Sequence, residues 1–147
     1  MSYTIRRMTA ADADAVIAMM RTFYASPAVF TNGSEEIFQN DVAACVSDSP
    51  YAEGYIFEIE GRIVGYGMLA KSFSTEFGKP CIWIEDLYLL PDYRGLGIGS
   101  AFFKHVENSY PDHLLRLEVE EENERAIQVY KKNGFDALPY MEMKKHS

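Results

Sequence analysis

Ile82-Trp83-Ile84-Glu85-Asp86-Leu87-Tyr88-Leu89-Leu90-Pro91-Asp92-Tyr93-Arg94-Gly95-Leu96-Gly97-Ile98-Gly99-Ser100 is the stretch from which the rest of the chain can be read. Its first part is a short run of β-branched, aromatic and aliphatic residues closed by Pro91, which predicts a strand. Ile98, Ala101, Phe102 and Val106 then recur at helical spacing, so a helix opens near Gly97 and reaches about Asn108. Between the two, Gly95, Gly97 and Gly99 stand at alternate positions. Without Cβ they can take positive φ, turn N–H groups toward a ligand and let it approach the backbone. Added to the unpaired donors and positive dipole end of the helix, this suits a diphosphate, with Arg94 as a fixed cation beside it.

Other phosphate motifs fit less well. No Gly-Lys-Ser/Thr follows at P-loop spacing. A dinucleotide fingerprint would need a glycine where Ser100 stands, although Glu118 lies about where a ribose-binding acid belongs. Glu85 and Asp86 also sit mid-strand, where a fully buried parallel strand would be apolar. The plain alternative is a tight glycine-rich turn without a ligand.

Arg94-Gly95-Leu96-Gly97-Ile98-Gly99 resembles the acetyl-CoA pyrophosphate loop, Arg/Gln-x-x-Gly-x-Gly/Ala, of the GNAT superfamily of N-acetyltransferases. Glu85 to Tyr93 looks like the strand that precedes that loop, especially in the diamine (spermidine/spermine) acetyltransferase branch. Asn123-Glu124-Arg125-Ala126-Ile127-Gln128-Val129-Tyr130-Lys131-Lys132-Asn133-Gly134-Phe135 resembles the superfamily's Asn-x-x-Ala-x-x-x-Tyr-x-x-x-Gly-Phe segment. The motif-level resemblance runs from about Ile82 to Phe135. It implies an α/β (α+β) fold: a mixed, mostly antiparallel central sheet of six to seven strands with about four helices.

Bulk properties are consistent with this. The 147 residues suit one compact domain, and 48% hydrophobic with 14% aromatic residues indicates a globular chain. No apolar run approaches a membrane span, and the N-terminus lacks a signal-peptide pattern. Cys45 and Cys81 lack metal-ligand spacing, so the expectation is a reduced, cytoplasmic protein with no metal. A net charge of −8 disfavours a nucleic-acid partner.

Taken in order, Tyr3 to Arg6 reads as a strand. Thr9 and Asp12 form a capping-box pair opening a helix that ends before Pro27. Ser34 caps a second helix, with Glu35 and Glu36 in its first turn, running to about Val46. The loop between them, Ala25 to Gly33, falls where the superfamily forms its acceptor-substrate site. Glu60-Gly61 turns a hairpin between Tyr55–Ile59 and Arg62–Tyr66, whose second arm continues towards Ala70, and a loop Lys71 to Lys79 leads back to the central strand. After the Gly-loop helix, Leu115, Leu117 and Val119 alternate with Arg116, Glu118 and Glu120, a half-buried strand completing a parallel crossover. Asn123 caps the next helix and Gly134 closes it. Phe135–Leu138 and Tyr140–Lys144 are expected as two short final strands.

Acetyl transfer to an amine requires a neutral nucleophile, a polarised thioester carbonyl and a proton for the leaving thiolate. With a pKa of about 10.4, only ~10⁻³ of a lysine-like amine is neutral at pH 7. Strand alternation puts Glu85 with Trp83, Leu87 and Leu89, and Asp86 with Ile82, Ile84 and Tyr88. The resemblance selects Glu85 as base or amine anchor, acting through ordered water; Asp86 reads as structural, with the base role as its alternative. The resemblance makes Tyr130 the general acid for the CoA thiolate, where a helical tyrosine beside Ile127 and Val129 would otherwise read as core. It also implies main-chain contacts from Leu87, Tyr88 and Leu89 to pantetheine, with Asn123 and Ala126 along the same arm. Arg94, Gly95, Leu96, Gly97, Ile98, Gly99 and Ser100 would hold the pyrophosphate. His105, His113 and His146 have no partners suggesting a triad or metal.

The resemblance therefore implies direct transfer from acetyl-CoA to a primary amine in a ternary complex, with a polyamine or diamine as first candidate and a homodimer as the assembly. Another small amine, a protein amine, or a CoA- or nucleotide-binding module without transfer activity are the alternatives.

Overall fold

The computed structural model describes residues 2–146. Five strands form one sheet in the order β1-β2-β3-β4-β5. They are β1 Tyr3–Arg7, β2 Ala52–Ile59, β3 Arg62–Ser74, β4 Lys79–Leu89 and β5 Leu114–Leu117. The first four pair antiparallel, and β4 pairs with β5 in parallel. Four α-helices surround the sheet: α1 Ala13–Tyr24, α2 Glu35–Val46, α3 Ile98–Ser109 and α4 Glu124–Lys132.

The Thr9–Asp12 pair is present, but it opens a 3₁₀ turn, Ala10–Asp12, ahead of α1. Asp12 accepts from the Thr9 N–H at 2.8 Å and takes two Arg6 guanidinium bonds, also at 2.8 Å. Ser34 caps α2 by accepting from the Ile37 N–H. At the β2–β3 turn both Glu60 (φ 51°) and Gly61 (φ 78°) are left-handed, the geometry whose twist matches a two-residue hairpin.

Each face of the sheet buries one apolar cluster. On one, α1 and α2 bring Val16, Met20, Phe38 and Val42 against Ile56, Tyr66, Met68 and Tyr88. On the other, Ile98, Phe102, Phe103 and Val106 of α3 pack on Phe57, Val64, Leu69, Ile82 and Ile84. The sheet is thus a partition with a helical layer on either side.

Three expectations are corrected. The sheet has five strands rather than six or seven, because Phe135–Leu138 and Tyr140–Lys144 join no ladder among the described residues. The end of this tail stands away from the core: Tyr140 is 61% exposed, and Met141 and Met143 are each 86% exposed. The strand after α3 stops at Leu117 rather than near Glu120, leaving Glu118 and Glu120 exposed. The loop expected over 71–79 shrinks to 75–78, since Lys71 to Ser74 pair with Lys79 to Ile82.

Candidate active site

The site begins with an irregularity in β4. Met68 pairs with Asp86, whereas the next residue of β3, Leu69, pairs with Ile84, so Glu85 is an extra residue bulged out of the ladder. The bulge reverses the alternation. Ile82 and Ile84 lie in the α3-side cluster together with Leu87 and Leu89, while Tyr88 joins the α1/α2 side. The expected partition of Glu85 and Asp86 onto separate faces therefore fails: both carboxylates border the same two cavities.

Beyond the bulge, β4 and β5 part. Their pairing ends at Ile84 with Leu117, after which the chain from Glu118 to Asn123 diverges towards α4. The divergence opens a cleft of about 1610 Å³ with Glu85 to Leu89 on one wall and Leu117 to Asn123 on the other. On the cleft side β4 has no strand partner after Ile84, so its edge offers main-chain donors and acceptors.

One end of the cleft is the glycine loop. Gly95 (φ 78°) and Gly97 (φ 85°) are left-handed with open space where a Cβ would stand, so conformation rather than crowding requires glycine. Gly97 is the N-cap of α3 and has no side chain to cap it; the first helical bond is Ala101 N–H to Gly97 O, at 3.0 Å. The N–H groups of Ile98, Gly99 and Ser100 thus open α3 without helical acceptors, where an anion is favoured. Arg94 donates through Nε to Leu89 O at 2.9 Å, and its guanidinium lies 5.5 Å from the Tyr88 ring centre. Asn133 Nδ2 donates to Ser100 Oγ at 3.1 Å, which draws the end of α4 and the cleft-lining Lys132 towards the same loop.

Glu85, Leu87, Tyr88, Leu89, Arg94, Gly95, Gly97, Ile98, Gly99, Ser100, Asn123, Ala126 and Tyr130 all line the cleft. Leu96 does not: its side chain is 48% exposed at the outer tip of the loop. Asn123 caps α4 by accepting from the Ala126 N–H at 3.3 Å. The Tyr130 ring packs edge-on against Phe103 at 5.9 Å, and burial pushes its phenol above the usual value, so it stays protonated. It is both core residue and cleft wall.

Glu85 is open to the cleft but enclosed by protein on its flanks. That burial, then the charges of Asp86, Glu142 and Asp41, push its carboxyl above the ordinary value. Asp86 is 5% exposed and accepts from Tyr66 at 2.8 Å and from Tyr24 at 3.0 Å. Burial raises the Asp86 carboxyl against the pull of these two donors. Beside it lies a smaller cavity of about 220 Å³, bordered by Tyr24, Asp41, Cys45, Met68, Glu85 and Asp86. Asp41 is pushed up to about 6 by burial and by Asp86.

Sequence reasoning missed Tyr24, which bonds Asp86 of β4, Asp41, which borders the smaller cavity, and the tail residues Glu142 and Lys144, which reach the cleft. Among the described residues no group of His, Cys, Asp and Glu could hold a metal ion, and no helix is long and apolar enough to cross a membrane.

The family model for the acetyltransferase (GNAT) family matches residues 17–135. The chain belongs to this family. Among curated relatives, the GNAT chain is 43% identical over 79 residues to a thialysine N-epsilon-acetyltransferase of Bos taurus, a match covering 52% of this chain and 46% of that protein. It thus spans about half the length of the curated relatives it matches. Among solved structures, a possible acetyltransferase from Clostridium difficile 630 superposes with a TM-score of 0.83 at 19% identity, covering 99% and 97% of the two chains. AAC(6')-Iy in complex with the bisubstrate analogue CoA-S-monomethyl-acetylneamine gives 0.82 at 12% identity, covering 100% and 99%. At these identities the two superpositions speak for the GNAT fold.

Proposed function

We propose that this GNAT protein transfers an acetyl group from acetyl-CoA directly to a primary amine held beside Glu85. The observation that carries the reading is the wedge between β4 and β5, which runs from the uncapped start of α3 to the bulged carboxylate. The N–H groups from Gly95 to Ser100 hold the pyrophosphate, with Arg94 and Lys132 beside them. The open edge of β4 at Leu87, Tyr88 and Leu89 bonds the pantetheine amides as an added strand would. Ala126 and Asn123 flank it on the α4 side.

Glu85 removes a proton from the substrate ammonium, directly or through a water. The amine nitrogen then bonds the thioester carbonyl carbon and the C–S bond breaks. Main-chain N–H groups near the bulge stabilise the transient oxyanion. Tyr130 gives its phenol proton to the departing thiolate and regains one from solvent, while Glu85, having passed the ammonium proton to solvent, takes the second proton from the nitrogen as the amide forms. Neither cysteine serves as a nucleophile: both are buried, and burial pushes the Cys45 thiol up to about 12.

The acceptor is a small aliphatic amine of the polyamine or diamine kind. Support comes from the acidic lining given by Glu85, Asp86, Glu118 and Glu142, and from the relative named for the ε-nitrogen of thialysine. The protein works in the cytoplasm as a homodimer, a reading supported by its free cysteines, the open outer edge of β5 and the exposed apolar side chains of the tail. Sedimentation at micromolar concentration should give twice the chain mass; the chain mass alone would contradict the dimer. Thiol release from acetyl-CoA in the presence of a panel of diamines, thialysine and lysine peptides tests the activity. Amine-dependent release with one product amide per thiol is expected. Binding of acetyl-CoA without release for any amine would leave a binding module and refute the enzyme.

A further inference from the structure

Part of the cleft lining comes from a loop that has Tyr24 at both of its ends. Residues 25–33 join α1 to α2, and Ser26 to Thr31 border the cleft. The loop starts directly after Tyr24, where Ser26 Oγ donates to Phe23 O at 2.6 Å. It ends at Gly33 (φ 64°), where a Cβ would stand 2.5 Å from Phe38 Cε1 and 3.1 Å from Tyr24 Cδ2. The Gly33 backbone therefore rests on the Tyr24–Phe38 ring pair, whose centres are 5.2 Å apart. The phenol of Tyr24 crosses to β4 and donates to Asp86, meeting its two oxygens at 3.0 and 3.1 Å. Asp86 is held from the other side by Tyr66 of β3. Tyr24 thus stands at both ends of the loop, directly before its start in the chain and with its ring under Gly33 at its end, and its phenol ties it to the strand that bears Glu85.

We propose that Tyr24 is the positioning residue for the acceptor amine: its bond to Asp86 fixes where the 25–33 loop stands relative to Glu85. This rests on the reading of the cleft as an acetyltransferase site. The structural part of the inference is separable from the catalytic part. Burial of Asp86 makes the tie strong, because a carboxylate 5% exposed leans on its two phenol donors. Tyr66 satisfies the same carboxylate from mid-sheet, where it pairs with Ile56 and Tyr88 and borders neither cavity. The two tyrosines therefore differ in what they position, although they share an acceptor.

The test compares their phenylalanine variants, which remove one oxygen and keep the ring. Tyr24→Phe should raise the KM of the best amine about tenfold, the scale of one hydrogen bond to a charged acceptor, and leave the KM of acetyl-CoA within twofold. Amide exchange over residues 25–33 should quicken in the same variant. Tyr66→Phe should lower the thermal midpoint without quickening that loop. Gly33→Ala, which disturbs the other end of the loop through Phe38 and Tyr24, should reproduce the selective rise in amine KM. An unchanged loop exchange in Tyr24→Phe, the same change in Tyr66→Phe, or an unchanged amine KM would each overturn the proposal. If the unaltered protein acetylates no amine, the function proposed above fails, while the exchange comparison still decides whether Tyr24 holds the loop.

Discussion

Glu85 combines accessibility, which the bulge gives it, with a proton affinity raised by partial burial and by the charges of Asp86, Glu142 and Asp41. A base must be deprotonated to act, so raising its pKa moves the acid limb of the rate profile upward, above the ordinary carboxylate range. In Glu85→Gln that limb should vanish from a plot of kcat/KM against pH, and the rate should fall about 10²-fold. Tyr130→Phe should lower kcat by a similar factor of about 10² with the amine KM little changed, since its proton is needed only as the thiolate leaves. The glycine loop was legible in the sequence because positive φ is a local demand, met by Gly95 and Gly97 regardless of what surrounds them. The placement of Glu85 and Asp86 was not. It depends on Leu69 pairing with Ile84, a register that no local pattern encodes. The contacts of Asp86 come from Tyr24 and Tyr66, far off in the chain.

The elements differ in how far their own residues determine them. α2 and α4 follow their caps, Ser34 and Asn123, and each starts where its side chain accepts a backbone N–H. The turn before α1 depends on a longer-range group. Arg6 holds the Asp12 carboxyl down at about 2, with the Thr9 N–H assisting against the cost of burial. A depressed folded pKa contributes stability above the unfolded value near 3.9, lost as pH falls towards about 2. Asp12→Asn should therefore cost about 2 kcal/mol at neutral pH and progressively less on acidification, as read by denaturant midpoints. Asp41 has the opposite sign. Its carboxyl is raised to about 6, so its contribution is favourable below the unfolded value and lost as pH rises through about 6. Asp41→Asn should gain thermal stability relative to the unaltered chain between pH 4 and 7. The tail, by contrast, reads as two short strands around Pro139; a strand also needs pairing, and residues 135–146 pair with no sheet edge among the described residues.

Across the whole molecule, a sheet with α1 and α2 on one face and α3 on the other brings two kinds of site to one cleft. The anion end lies at the glycine loop, and the acidic end lies at the bulge, beside the loop that Tyr24 anchors. The sheet order was largely readable in sequence, since hairpins and a crossover follow from turn residues and alternation. The separation of β4 from β5 was not, because it reflects where pairing stops. With a net charge of −8 the amine should be drawn in electrostatically. Its KM should rise as added salt shortens the screening length from about 10 Å at 0.1 M to about 3 Å at 1 M. The central claim is that the start of α3 and the open edge of β4 together hold acetyl-CoA. The most direct measurement is calorimetric titration of acetyl-CoA into the protein and into Gly97→Val, whose β-branched side chain would strain a left-handed residue and so displace the N–H groups that follow it. Saturable binding of one molecule per chain, lost in Gly97→Val while the variant still unfolds cooperatively, is the predicted result; no heat with the unaltered protein, or equal binding by the folded variant, would contradict it.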